Sequence, residues 1–335
     1  MRRFLPSALI LTTGLILSSC STGDAEDTTA SSENNSSAIT LDNCGFELTA
    51  HTPVERATTL EQGATDTLLL LGAKDQMVGY GHQKDAPPEG YDLEGIKEIS
   101  PSAPNSEQLR DADTDFIYSP FALNWTADNA GTREEWENLG VATYQSNVQC
   151  PDYADNAEKS TFDLVAKDIT ELGTLFDRKE EAKSLIEKQN QTLENAAQAP
   201  EGTTFMLLYS SIGGAPYVAG GPSIVTEVGK ATGMKNVFGD LDEEWPQISW
   251  EAVAEADPDV ILLANLPGRG KPGDKWEEKV SDLESTPGTK EMKAVKNGSY
   301  VVVPGVATSA SGRSYELVEE VSKAIKDDLF ANKSE

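Results

Sequence analysis

Catalytic chemistry has little to work with in this chain. Two histidines in 335 residues cannot supply the three or four converging His, Asp or Glu ligands that a bare zinc or manganese ion needs. No G-x-S-x-G elbow, H-E-x-x-H helix or Walker loop occurs, and the run from Gly213 to Gly221 is not G-x-G-x-x-G. No nucleophile–base pair can be assembled, so an enzyme is a rival reading only. A surface adhesin or scaffold is a third, and it would have no saturable small-molecule site. The formal charge of −29 would repel a phosphate backbone, which excludes nucleic acid as a partner.

The cysteines carry more information. Leu17-Ser18-Ser19-Cys20 follows a charged start, Arg2-Arg3, and an apolar core too short to span a bilayer comfortably. Leucine, two small residues and cysteine form a bacterial lipoprotein box. It predicts a signal peptide over 1–19 and a diacylglyceryl anchor on Cys20, holding the protein on the outer face of the cell membrane. An ordinary signal peptide with an incidental cysteine is the alternative. Residues 20–40 are mostly Ser, Thr, Asn, Asp, Glu and Ala, too polar to offset the entropy of ordering, and are expected to be a disordered tether. Export places Cys44 and Cys150 in an oxidising space, where an even pair is expected to form a disulfide. Two free structural thiols are the alternative.

The elements that would position a site announce themselves by repetition. Glu107-Gln-Leu-Arg-Asp-Ala-Asp113-Thr-Asp115-Phe-Ile117 and Glu251-Ala-Val-Ala-Glu-Ala-Asp257-Pro-Asp259-Val-Ile261 are in register. Each reads as a short helix that breaks at Asp-x-Asp and feeds an apolar strand, the unit of a parallel α/β sheet. Two copies predict two similar α/β lobes, over 41–151 and 201–335. Strand, helix and strand signals alternate with short turns through Arg56–Leu60, Ala64–Leu71, Gln76–Tyr80, Thr132–Leu139 and Val141–Tyr144. Between them, the segment 152–200 has no proline before Pro200 and a single glycine, Gly173. Phe162, Val165, Ala166, Ile169 and Leu172 fall on one helical face, and a second helix carries Ala182, Leu185, Ile186, Gln189 and Leu193. The connection is therefore helical and stiff, and the lobes should rock only slightly.

With these pieces in order, the chain resembles the substrate-binding lipoproteins of ABC importers for ferric siderophores and cobalamin. The resemblance rests on Arg56 through Gly79, Tyr217-Val-Ala-Gly-Gly-Pro-Ser223, Gly233-Met-Lys-Asn236-Val-Phe238, Trp245-Pro-Gln-Ile-Ser249-Trp-Glu251 and Ala294-Val-Lys-Asn-Gly298-Ser-Tyr-Val302. It implies two mostly parallel α/β lobes bridged by one long helix, with a ligand cleft between them. Ligands of open α/β sheets sit at the strand ends, where Tyr80, His82, Ser102, Phe121 and Trp125 are candidates from the first lobe. Ser210, Ser211, Trp245, Trp250, Arg269 and Arg313 are those from the second. Their aromatics and arginines suit an anionic, ring-bearing Fe(III)-siderophore, bound without any cofactor or direct protein–metal ligand. Haem or cobalamin are alternative ligands. His82 could ligate haem, but the turn Ser100-Pro-Ser-Ala-Pro-Asn105 lacks the tyrosine or histidine usual in haem-binding relatives. The resemblance also assigns Glu107 and Glu251 to docking on an ABC permease dimer served by a cytoplasmic ATPase. The bland alternative is that each acid merely favours the positive end of its helix.

Overall fold

The computed structural model describes residues 37–327, 329 and 330, without the side chain of Ile212. The signal peptide, Cys20 and most of the tether therefore lie outside the described residues. The tether expected through residue 40 gives way to strand β1 at Ser37 (Ser37–Asn43), which pairs antiparallel with β2 (Phe46–Thr52). Ile39 and Leu41 of β1 are half-buried among exposed polar neighbours, so the alternation is too weak to read as a strand.

The first sheet is wholly parallel. It comprises β3 (Ala57–Thr59), β4 (Met77–Gly81) and β5 (Lys97–Ser100), then β6 (Phe116–Ser119) and β7 (Ala142–Gln145), in the order β5-β4-β3-β6-β7. The helices are α1 (Gln62–Leu70), α2 (Ser106–Arg110) and α3 (Arg133–Asn138). Asn105 and Thr132 close capping boxes at the starts of α2 and α3, with Gln108 and Glu135 returning the bond.

The connection is two helices, as the periodicity has it, rather than a single rod. Helix α4 (Thr161–Leu175) buries Phe162, Val165, Ile169 and Leu172, and α5 (Lys179–Glu194) buries Ala182, Leu185 and Gln189. They fold back on each other at Asp177, whose φ of 54° ends α4. Gly173 permits the approach: a Cβ there would stand 2.5 Å from that of Ala182. Helix α4 is tied to the first lobe by its buried Asp168, which accepts hydrogen bonds from Tyr144, Ser146 and Asn147.

The second lobe runs β8 (Thr204–Ser210), β9 (Tyr217–Val218), α6 (Ile224–Ala231), β10 (Lys235–Asn236), α7 (Trp250–Ala256) and β11 (Val260–Asn265). Helices α8 (Trp276–Ser285) and α9 (Lys293–Asn297), strand β12 (Tyr300–Pro304) and helix α10 (Ser314–Lys326) complete it. Its parallel order is β10-β8-β11-β12, with β9 antiparallel on β8.

The repeat is structural. Asp113 and Asp257 both take left-handed backbone, with φ of 52° and 38°, where α2 and α7 give way to a strand. Two residues on, the Asp115 carboxylate accepts the Arg56 N–H at 3.1 Å and that of Asp259 accepts the Thr204 N–H at 3.0 Å. Each acid thus fixes the entrance of the neighbouring central strand, β3 or β8.

Cys44 and Cys150 are disulfide-bonded across a separation of 106 residues, with Cα atoms 5.6 Å apart. The bond staples the β1–β2 turn to the exit of the first lobe. Replacing both by serine is expected to lower the unfolding free energy by about 2–4 kcal/mol. Urea denaturation checks this, and an unchanged midpoint would contradict it.

Candidate functional site

The parallel strands of both lobes point their C-terminal ends at the seam between them. Residues after β3 (Glu61, Gln62), β4 (Lys84) and β6 (Phe121) face Tyr209 of β8 and Val306 and Ala310 after β12, around a slot of about 20 Å³. That is room for about one water. The lobes touch around it: a Cβ on Gly268 would meet the Lys84 carbonyl oxygen at 2.4 Å. Gln149 Nε2 lies 3.3 Å from Glu244 Oε2, and the Gly312 N–H donates to Thr67 Oγ1 at 3.0 Å.

Two charged clusters flank the slot, one per lobe. In the first lobe His82 takes a left-handed φ of 51°, and its Nδ1 lies 2.7 Å from Glu61 Oε2, which is also 3.2 Å from Lys84 Nζ. Burial would raise the Glu61 carboxyl, but the neighbouring His82 and the charge of Lys84 hold it below the ordinary value. In the second lobe Arg269 donates its Nε to Asp274 at 2.9 Å and its Nη2 to Ser210 at 3.2 Å. Its guanidinium sits over the Tyr209 ring, 5.2 Å from the centroid. Asp274 is buried, which would raise its carboxyl, yet its bonds from Arg269 and Lys271 keep it lowered. Trp245 lies against Tyr209 with ring centroids 4.9 Å apart.

The structure brings some candidates together and separates others. Phe121 lines the slot, His82 adjoins Glu61 of its lining, Arg269 and Trp245 adjoin Tyr209, and Ser210 is bonded to Arg269. Tyr80 is half-buried on β4, its phenol raised by burial and by Glu98; Ser102 is exposed beside Ser100, 3.2 Å between hydroxyls. Trp125 packs on Leu60, Leu109, Ile117 and Trp136 as part of a core. Ser211 is bonded to Asp282 at 2.8 Å, and it and Trp250 line a separate cavity of about 650 Å³.

Arg313 ties the lobes together: its Nη1 donates to Asp66 on α1 at 3.0 Å and its Nη2 to Glu316 on α10 at 2.8 Å. Nη1 also reaches the Ala86 carbonyl at 3.2 Å, and Nε donates to Glu316 at 3.0 Å. Burial holds the Asp66 carboxyl up, at about 6, against the pull of Arg313.

The sequence reading passed over Glu61, Lys84, Tyr209 and Asp274. Tyr209 stands in β8 next to Ser210, already singled out, and Glu61 two residues past β3, so strand-end position was the available signal. Nothing in the local sequence marks Asp274 as the partner of Arg269. Glu107 and Glu251 are exposed on the first turns of α2 and α7. Among the described residues no group of three or more His, Cys, Asp or Glu could hold a metal ion, and no helix is long and apolar enough to cross a membrane.

A family model for periplasmic binding proteins matches residues 58–307, well over half of the chain. The chain belongs to the periplasmic binding protein family. Members are solute-binding transport proteins that act outside the cytoplasm, so this one binds rather than catalyses. The vitamin B12-binding protein of Photorhabdus laumondii is 22% identical over 211 residues, 62% of this chain and 70% of its own. The high-affinity heme uptake system protein IsdE of Staphylococcus aureus is 31% identical over 170 residues, 48% of this chain and 56% of its own. The structure of an ABC-type Fe3+-hydroxamate transport system protein from Saccharomonospora viridis superposes with a TM-score of 0.68 at 25% identity. That match covers 85% of this chain and 98% of the other. The expected fold, two α/β lobes of the binding-protein kind, is what the chain adopts.

Proposed function

We propose that this binding protein captures a ferric siderophore between its lobes and delivers it to an ABC permease dimer. The observation that carries the reading is the pairing of an aromatic and guanidinium cluster, Tyr209, Trp245 and Arg269, with Phe121 and the His82–Glu61–Lys84 group across the seam. Stacking faces and charge-assisted donors at opposed strand ends suit a compact chelate with planar ligand groups. A chelate needs far more than a water's volume, so admitting it takes a wider parting of the lobes at Gly268 than the slight rocking expected of a stiff helical connection. Haem and cobalamin remain the alternative ligands, in line with what the Staphylococcus aureus and Photorhabdus laumondii relatives bind.

Titration of the full-length protein in detergent with ferric siderophores, haem and cobalamin tests the reading. Saturable one-to-one quenching of tryptophan emission by a ferric siderophore is expected. Tighter quenching by haem or cobalamin would overturn it.

Anchoring through a lipid on Cys20 belongs to the same proposal. Cys20→Ala is expected to release the protein from membranes or to block its processing. A variant that still fractionates with membranes at mature mass would refute the anchor.

A further inference from the structure

The slot between the lobes has room for about one water, and a helical connection through α4 and α5 favours only slight rocking. Parting whole lobes would also break several ties at once. Arg313 would leave the buried Asp66, the Gly312 N–H would leave Thr67 Oγ1, and Gln149 would leave Glu244. Stripping Asp66 of its partner leaves a buried charge uncompensated, which is the costly step.

One segment at the seam has no such tie. Residues 267–273, between β11 and α8, run Pro-Gly-Arg-Gly-Lys-Pro-Gly. Their neck is closed by the buried residues on either side: the Leu266 N–H donates to the Asp274 carbonyl at 3.1 Å. The buried Lys279 donates to the same carbonyl at 2.6 Å. The body of the loop hangs from the Asp274 carboxylate, through the Arg269 side chain and the Lys271 N–H, each at 2.9 Å. Its tip meets the first lobe at the exposed Gly268, where a Cβ would stand 2.4 Å from the Lys84 carbonyl oxygen and 3.1 Å from Asp85 Cα. Among the described residues no hydrogen bond joins 267–273 to the first lobe. On the inner side Arg269 lies over the Tyr209 ring and donates to Ser210 at 3.2 Å and to the Tyr209 hydroxyl at 3.4 Å. The loop thus covers an aromatic face that a planar ligand group would stack on.

We propose that this loop is the gate of the cleft. It swings about the Leu266–Asp274 neck and carries Arg269 off Tyr209 while the lobes stay joined. Gly270 and Gly273, with φ of 69° and 79°, supply the backbone freedom. Arg269 stays on Asp274 throughout, so no charge is left unpaired. The wider parting at Gly268 is then the movement of one loop. This rests on the reading of the inter-lobe cleft as the ligand site.

The test follows tryptophan quenching by stopped flow in full-length protein in detergent. The probes are ferrichrome, ferric enterobactin, haem and cobalamin, and those that wild type binds are carried to the variants. Gly268→Cys/Asp85→Cys pins the loop tip by a disulfide, with Gly268→Cys/Asp85→Ser as its unbridged control. Two variants pin the lobes instead, Thr67→Cys/Gly312→Cys by a disulfide and Gln149→Cys/Glu244→Cys by a short bismaleimide. Rotation about either tie breaks the other, so between them the two arrest lobe motion. Both lobe-pinned variants are expected to keep their association rate within about threefold, and the loop-pinned one to lose at least about a hundredfold, as when a minor competent state is emptied. Gly268→Ala, whose Cβ meets the Lys84 carbonyl, is expected to speed association by about tenfold through a larger open population. Lost binding in either lobe-pinned variant, or association unchanged by the loop disulfide or by Gly268→Ala, would overturn the gate while leaving the cleft reading in place. Binding of haem or cobalamin alone would overturn the siderophore reading and not the gate. Binding of no probe by wild type would overturn the reading on which the gate rests.

Discussion

Arg313→Ala is expected to lower the unfolding free energy by about 3–5 kcal/mol, the usual penalty for stripping one partner from a buried ion pair. The side chain of Asp66 is fully buried and that of Arg313 nearly so, at 0% and 10% exposure. Asp66 Oδ1 has no hydrogen-bond partner, so the loss of Arg313 leaves only the Gln62 amide, 3.1 Å from Oδ2. Asp66→Leu combined with Arg313→Met should restore much of the stability, since an apolar pair of similar bulk avoids the desolvation of both charges. The pair also has a pH signature. With the folded Asp66 carboxyl at about 6 and an unfolded value near 3.9, the native state holds the extra proton between those values. Stability from this group is therefore fully present below about pH 4 and is lost as pH rises through 6. Asp168, raised by burial to about 6, adds in the same direction. Going from pH 7 to pH 5 should add roughly 1 kcal/mol for each group, and Asp168→Asn should remove its share. Denaturant titrations at the two pH values decide this. If Arg313→Ala keeps full stability and loses only chelate affinity, Arg313 is a ligand contact and the tie is wrong.

Reversing Glu107 and Glu251 together is expected to abolish uptake while leaving chelate affinity unchanged and stability within about 1 kcal/mol. Both side chains are exposed, and neither forms an ion pair among the described residues. Each occupies the second position of a short helix whose first turn is already capped, by Asn105 on α2 and Ser249 on α7. The dipole contribution of such an acid is about 0.3–1 kcal/mol, too little to explain why both stand eight residues before the aspartate that anchors a central strand. A twofold permease would meet two related lobes with one charge contact each, which sets orientation and association rate more than affinity. Normal uptake by Glu107→Arg/Glu251→Arg in a strain lacking the native protein would refute the docking proposal. Lost chelate binding by either single variant would refute it as well.

The architecture was legible where a residue has one geometric duty. Asp115 and Asp259 recur because each must accept the amide at the entrance of a neighbouring strand, so the repeat in sequence is a repeat in structure. The stripe Phe162, Val165, Ile169 and Leu172 was readable because one side of α4 is buried along its length. The β1–β2 hairpin was not, because β1 lies at the surface and only Asn43 in it is buried. At the site, strand-end logic named Phe121, His82, Ser210 and Arg269 as candidates but could not say which cations were already neutralised. That depends on tertiary distances: Glu61 meets Lys84 across the end of a sheet, and Arg313 meets Asp66 from the other end of the chain. An arginine at the start of α10 is poorly placed for the helix dipole, and the reason is a carboxylate 247 residues away.

The central claim is that the chelate sits between the lobes at the opposed strand ends. Methyl-resolved NMR of the full-length protein, comparing a bound ferric chelate with its diamagnetic gallium counterpart, locates the metal directly. Paramagnetic broadening should be strongest for Val306 and Ala310 of the second lobe and for Leu60 and Ala122 of the first. Two larger cavities offer the contrary outcome: the groove of about 760 Å³ between α5 and α10, beside Leu185, and the one of about 650 Å³ beside Trp250 and Thr286. Broadening centred on Leu185 or on Thr286, with Val306 and Leu60 untouched, would contradict the inter-lobe site.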